Sequence, residues 1–142
     1  MLVANMLTDK GNRVATVKSS DLVSSATKML KSERVGALVV SDDGTTIAGI
    51  ISERDIVRAL ANDPDVQTRT IASIMTSNVI TCRTGDDVGE LMKLMTEHRI
   101  RHIPVAENGN MIGIISIGDV VKHRLSELES EADAMRAYIA TG

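Results

Sequence analysis

The sequence predicts a mixed α/β (α+β) fold: two tandem β-α-β-β-α repeats packed as a pseudo-two-fold pair, with a long C-terminal helix. The first observation behind this is an internal duplication. Val14, Thr16, Asp21, Val23, Lys28, Arg34, Val40 and Gly44 recur 65 positions later as Val79, Thr81, Asp86, Val88, Lys93, Arg99, Val105 and Gly109. At an offset of 64, Gly49-Ile50-Ile51-Ser52 with Asp55 and Val57 returns as Gly113-Ile114-Ile115-Ser116 with Asp119 and Val121. The second is that each copy alternates strand-like and helix-like apolar periods. The third is size, because a unit of roughly 60 residues buries only about 60% of its unfolded surface and is marginal alone. Two copies should therefore pack on each other and leave clefts between them.

Residues 1–62 are assigned to the first repeat with an N-terminal segment, 63–78 to a connector that follows Asn62 with Asp63-Pro64-Asp65, and 79–125 to the second repeat. Each repeat opens on a short Val/Thr strand, Val79-Ile80-Thr81-Cys82 in the later copy. A helix follows, in which Val88, Leu91, Met92, Leu94 and Met95 recur near helical spacing. Ile103 to Val105 and Ile112 to Ile115 read as paired strands. The one-residue slip falls between Asp43-Gly44 and Asn108-Gly109, where a hairpin turn absorbs it without changing register. Past Asp119 the last helix continues, with Val121, Leu125, Leu128, Ala132, Met135 and Ile139 in one seam and Glu127, Glu129, Glu131 and Arg136 outside it. Residues 126–142 are thus a helical extension whose seam needs a partner. Packing back on its own chain and pairing with a second subunit are the alternatives, the second preferred.

The composition excludes several functions. With 16 Lys plus Arg against 19 Asp plus Glu there is no basic stripe to track phosphates. Without Trp or Phe, and with Tyr138 as the one aromatic, there is no stacking platform for single-stranded nucleic acid. Cys82, the lone cysteine, sits in an apolar strand and reads as a buried structural thiol in a reducing compartment. No run approaches the roughly 18 apolar residues of a membrane span, and the start lacks a secretory pattern. A cytoplasmic protein with no membrane or nucleic-acid partner is expected. His98 and His123 have no ligand-like spacing, and neither a Walker loop nor a dinucleotide glycine motif is present. Neither a metal site nor an enzyme is expected.

The string His98-Arg99-Ile100-Arg101-His102-Ile103-Pro104-Val105, a hairpin and Gly113-Ile-Ile-Ser-Ile-Gly-Asp119, matched by Gly49-Ile-Ile-Ser-Glu-Arg-Asp55, closely resembles the CBS domain, and two in tandem resemble a Bateman module. The resemblance covers about residues 12–124. It implies a regulatory fold that binds AMP, ADP, ATP, NAD or S-adenosylmethionine between paired domains, with AMP favoured here. It also implies a homodimer and an effector protein that reads the bound state; the competing reading is a ligand-independent scaffold. The family's phosphate-contacting Ser and ribose-contacting Asp fall on Ser116 and Asp119, and on Ser52 and Asp55 in the earlier copy.

Physical chemistry supports such contacts. A carboxylate in the first turn of a helix accepts hydrogen bonds from both ribose hydroxyls, and the N–H groups of the helix start favour an anion. Gly113 and Gly118 are expected to permit close backbone approach, with Ile114 beside them. Ser-x-x-Asp is equally a capping box, so capping and ligand contact both stay open. Arg101 and His102 replace Gly36 and Ala37 of the first copy. They resemble positions that reach across a cleft to phosphate, while Gly36 and Ala37 leave room for an adenine edge; a surface ion pair for Arg101 and simple packing for His102 are the alternatives. Pro104 suggests an edge or irregular strand position opening on a cleft. The resemblance implies nucleotide contacts at Thr16 and Thr81 in the first strands, with Lys18 close by, while Thr is also simply a good strand former. Arg54 either approaches phosphate or pairs with Glu53 or Asp55.

Overall fold

The computed structural model describes residues 1–141, and Gly142, the last residue of the expected extension, lies outside them. Helix α1 (Val3–Lys10) is followed by β1 (Thr16–Val17), α2 (Val23–Glu33), β2 (Ala37–Val40), β3 (Gly49–Ser52) and α3 (Glu53–Asn62). Two 3₁₀ turns at Val66–Thr68 and Ile71–Ser73 lead to α4 (Val88–His98), β4 (His102–Glu107), β5 (Asn110–Ser116) and α5 (Ile117–Thr141). The mixed α/β repeat pair and the long last helix are as the sequence predicts. None of the described helices is long and apolar enough to cross a membrane.

The two sheets share one register. β2 pairs antiparallel with β3 from Ala37↔Ser52 to Val40↔Gly49, and β4 with β5 from His102↔Ser116 to Val105↔Gly113. Asn108 and Gly109 have φ of 51° and 81°, the left-handed pair that a two-residue hairpin demands. The first copy uses a longer loop, folded around the Asp43 carboxylate, which accepts from the N–H groups of Thr45 and Thr46 at 2.8 and 2.7 Å.

The first strands differ. β1 lies parallel to β2, but its expected counterpart at 79–82 shrinks to one bridge, Cys82↔Val105. Pro104 supplies the reason. Cys82 N–H donates to the Pro104 carbonyl at 3.0 Å and Ala106 N–H to the Cys82 carbonyl at 2.9 Å. The next bond of a parallel ladder would come from the backbone N–H that proline lacks. Pro104 thus stands on an outer strand of a two-stranded sheet, as expected, but it is buried opposite Ile114 and lies outside the cleft, and the register shift falls between Val105 and Ala106.

Each repeat is completed by a segment that chain order gives to the other. Val3, Met6 and Leu7 of α1 lie in one buried cluster with Leu91, Ile103 and Ile115 of the second repeat. Val66 and Ile71, from the connector, lie in the other cluster with Leu30, Leu38 and Ile51 of the first. The docking bonds match one for one. Val3 N–H donates to Asp86 carbonyl at 2.9 Å and Ile71 N–H to Asp21 carbonyl at 2.8 Å; Val88 N–H donates to Met1 carbonyl and Val23 N–H to Arg69 carbonyl, both at 2.9 Å.

This docking explains the repeated glycines. A methyl built on Gly113 would lie 2.6 Å from Leu7 Cδ2, and one built on Gly49 would lie 2.8 Å from both Met75 Sδ and the Thr76 carbonyl oxygen. The close approach expected of Gly113 is to the docked helix. At Gly49 the obstacle is backbone, held by reciprocal Ile50–Thr76 bonds of 2.9 Å. Gly49→Ala should therefore destabilise by about 1–3 kcal/mol, and by more than Gly113→Ala, whose Leu7 neighbour can shift. Urea unfolding of both variants checks this, and equal losses would contradict it.

Candidate functional site

Between the repeats lies a cavity of about 420 Å³, lined on one side by Gly36, Ala37, Ile50, Ser52, Glu53, Arg54, Asp55, Arg58 and Thr76, and on the other by His98 to His102. Its floor is the start of α3. Ser52 is the N-cap: its hydroxyl accepts from Asp55 N–H at 3.2 Å, while Asp55 Oδ2 accepts from the N–H and hydroxyl of Ser52 at 2.9 and 3.0 Å. The capping role is thus present. It consumes one carboxylate oxygen; among the described residues Oδ1 accepts only from Thr76 Oγ1, at 3.5 Å.

The opposite wall is set by the end of α4. Arg99 takes the left-handed conformation at φ 54°, and the N–H of Ile100 closes back on the Met95 carbonyl at 3.0 Å. The chain then turns into β4, carrying Arg101 and His102 across the cleft. Arg54 Nη1 donates to the Arg99 carbonyl at 3.2 Å, which ties the two walls together. Arg54, Arg58, Arg99 and Arg101 therefore surround a cavity whose carboxylates are Glu53 and Asp55. None of the four arginines is ion-paired among the described residues.

His102 has a different role from its neighbour. Burial first, and then the charge of Lys10, push its pKa down, so the ring is neutral near pH 7. A Cβ on Gly36 would come within 3.2 Å of its Cε1. The room that Gly36 leaves is taken by imidazole.

The related position in the second repeat is built alike and filled differently. Ser116 and Asp119 repeat the capping box, with Asp119 Oδ2 accepting from the Ser116 N–H at 2.8 Å and hydroxyl at 2.9 Å. That same oxygen also takes Lys10 Nζ at 2.6 Å, and Lys10 reaches the Ile114 carbonyl at 2.6 Å. Where Thr76 stands beside Asp55, a lysine from the docked helix stands beside Asp119. Burial alone would raise the Asp119 pKa; the Lys10 hydrogen bond, the Ser116 N–H, the Lys10 charge and the Ser116 hydroxyl outweigh it and hold it low.

Of the residues singled out from sequence, the cavity gathers Gly36, Ala37, Ser52, Arg54, Asp55, Arg101 and His102. Thr16, Lys18, Pro104, Ile114, Ser116, Gly118 and Asp119 lie outside its lining, and Thr81 lines a separate 620 Å³ depression beside Arg83, Glu107 and Gly109. Arg58, Arg99 and Thr76 are lining residues that sequence reasoning did not select. Arg58 was accessible to it, since it lies one helical turn beyond Arg54 on the same face. Thr76 was not, because only the exchange of segments brings it there.

The CBS domain model matches residues 7–62 and 71–126, which is most of the chain. The chain belongs to the CBS-domain family. It is 40% identical over 129 residues to the mitochondrial CBS domain-containing protein CBSX3 of Arabidopsis thaliana, covering 87% of this chain and 63% of that relative's length. The crystal structure of the CBS-domain containing protein ATU1752 from Agrobacterium tumefaciens superposes with a TM-score of 0.84 at 41% identity, over 87% of this chain and 99% of that one. Two CBS structures with ligands are similar as well. The domain pair of protein MJ0100, in complex with 5′-methylthioadenosine and S-adenosylmethionine, has a TM-score of 0.80 at 27% identity, over 89% and 98% of the two chains. Protein PAE2072 from Pyrobaculum aerophilum, complexed with AMP, has a TM-score of 0.75 at 28% identity, over 84% and 89%.

The Lys10 contact has a measurable pH signature. Because the folded Asp119 pKa is lowered, the contact stabilises the fold above the unfolded carboxylate range and is lost as pH falls through the folded value. Lys10→Met should raise the Asp119 pKa in a carbon-13 NMR titration and flatten the acid limb of stability against pH. An unchanged titration would contradict the contact.

Proposed function

We propose that this CBS pair is a regulatory module, not an enzyme, that binds one phosphorylated adenosine in the Asp55 cleft and passes the bound state to an effector protein. AMP is the preferred ligand, with ADP, ATP and NAD as larger candidates. The observation that carries this is the charge pattern of the 420 Å³ cavity: one ribose-ready carboxylate oxygen faced by four arginines without ion-pair partners. Arginine suits phosphate through its planar, bidentate donor fork. The volume falls within the usual 300–1,000 Å³ range of small-molecule sites. The same charges disfavour the sulfonium cation of S-adenosylmethionine, so this reading separates the chain from MJ0100 and aligns it with PAE2072. Lys10 on Asp119 moves the weight from the later carboxylate, which motif reading emphasised, to the earlier one.

A ligand can shift the packing of the repeats only by its differential affinity for the two arrangements. Arg54 to the Arg99 carbonyl is a bond that spans the cleft, so a phosphate drawing Arg54 away would alter the contact between the halves. Self-association into a homodimer belongs to the same proposal. Val57 and Leu60 on α3, Met92 on α4 and Val121 on α5 are large apolar side chains left exposed on the module helices. The buried, unreactive Cys82 suits the reducing cytoplasm. The scaffold reading draws on one observation, that Asp55 and Asp119 are both already engaged in capping boxes with Ser52 and Ser116.

Titration separates the readings. AMP at 100 times its Kd should add about 2.7 kcal/mol to the unfolding free energy. Asp55→Ala should weaken binding by about 1.5–3 kcal/mol through loss of charged hydrogen bonds, and Asp119→Ala by much less. 2′-Deoxy-AMP should bind more weakly than AMP. No stabilisation by any of AMP, ADP, ATP or NAD would leave the scaffold.

A further inference from the structure

Beyond residue 124 the last helix leaves the module. Val120 anchors its first turns in the core, but Leu125, Leu128, Met135 and Ile139 are 45–69% exposed. Val121, Leu125, Leu128, Ala132, Met135 and Ile139 follow one another in alternating steps of four and three, the spacing of the a and d positions of a coiled coil. The alternative of packing back on the chain is not taken.

The flanking charges specify both occupant and direction. With Leu125 at an a position, Arg124 and Glu131 fall at g, and Lys122, Glu129 and Arg136 at e. In a parallel, in-register pair, each g faces the e five residues further along the other helix. Arg124 then meets Glu129 and Glu131 meets Arg136, on both flanks by symmetry. In an antiparallel pair with full overlap, g faces g and e faces e. Glu131 then meets Glu131, Glu129 meets Glu129 and Lys122 meets Arg136, all like charges. A one-heptad slip that escapes this leaves only Val121 to Ala132, or Leu128 to Ile139, in the seam. Arg124 and Arg136 now lie 3.8 and 3.5 Å from Glu127 and Asp133 of their own helix. Exposed pairs of this kind contribute little, so redirecting them to a neighbour costs little.

We propose that residues 121–139 pair with the same segment of a second copy as a parallel, in-register two-stranded coiled coil, which sets the two modules side by side at one end of it. A segment this short is marginal alone, so the pairing acts together with module contacts. The proposal rests on the self-association proposed above and fixes its direction.

The native thiol is only 3% exposed, so a cysteine engineered into the tail is the one available for oxidation. In the whole 142-residue chain, Met135→Cys should be dimeric by light scattering and cross-link to itself on mild oxidation, since d faces d in a parallel pair. Glu131→Lys should weaken the dimer about tenfold, from two repelling pairs of surface charges, and adding Arg136→Glu should restore it. A monomer at all micromolar concentrations overturns both the self-association and the coil. A dimer in which Met135→Cys does not cross-link overturns the coil alone. So does one that cross-links only when Met135→Cys is mixed with Leu125→Cys, the antiparallel outcome.

Discussion

The fold depends on a reciprocal exchange: Leu7 of the N-terminal helix presses on Gly113, and Met75 of the connector presses on Gly49. Each repeat alone is too small to bury enough apolar surface, and each receives the missing part of its core from the stretch of chain preceding the other. The exchange also fixes the spacing of the halves. A side chain added at Gly49 would meet the Thr76 backbone, which is bonded in both directions to Ile50. The cleft is thus the gap left between two units that cannot be pulled apart without opening both cores.

Because the exchange is symmetric, the two carboxylate positions begin equivalent, and what differs between them is chemistry carried by individual side chains. The docked segment meets Asp55 with Thr76 but meets Asp119 with Lys10, two residues beyond the matching position in α1. The chain enters β2 through Gly36-Ala37 in one copy and β4 through Arg101-His102 in the other, so the cationic wall faces Asp55. Duplication supplies the frame, and the differences between Gly36-Ala37 and Arg101-His102 and between Thr76 and Lys10 turn a two-fold design into one cleft suited to an anion and a second position already neutralised by the chain's own lysine.

Much of this was legible in the sequence. The offset repeats gave the order of elements from β1 to α3 and from α4 to α5, the Asn108-Gly109 pair gave the tight hairpin, and Ser-x-x-Asp gave the starts of α3 and α5. What could not be read depended on contacts remote in sequence. Periodicity assigns residues 3–10 no partner, so their membership in the second core stayed hidden, and with it the lysine on Asp119. Pro104 was read only in part for a related reason: its missing N–H was visible, but not that the donor would be needed on the Cys82 side. Motif matching put its weight on Asp119, because the motif contains no information about what occupies each carboxylate.

The central claim is that the arginine-walled cavity at Asp55 is where an adenosine phosphate sits, and a crystal structure grown with saturating AMP tests it most directly. The account predicts ribose hydroxyls within hydrogen-bond distance of Asp55 Oδ1, phosphate against Arg54, Arg58, Arg99 or Arg101, and Lys10 still on Asp119. Nucleotide bound at Asp119 with Lys10 displaced and the Asp55 cavity empty, or no nucleotide in either position, would contradict it.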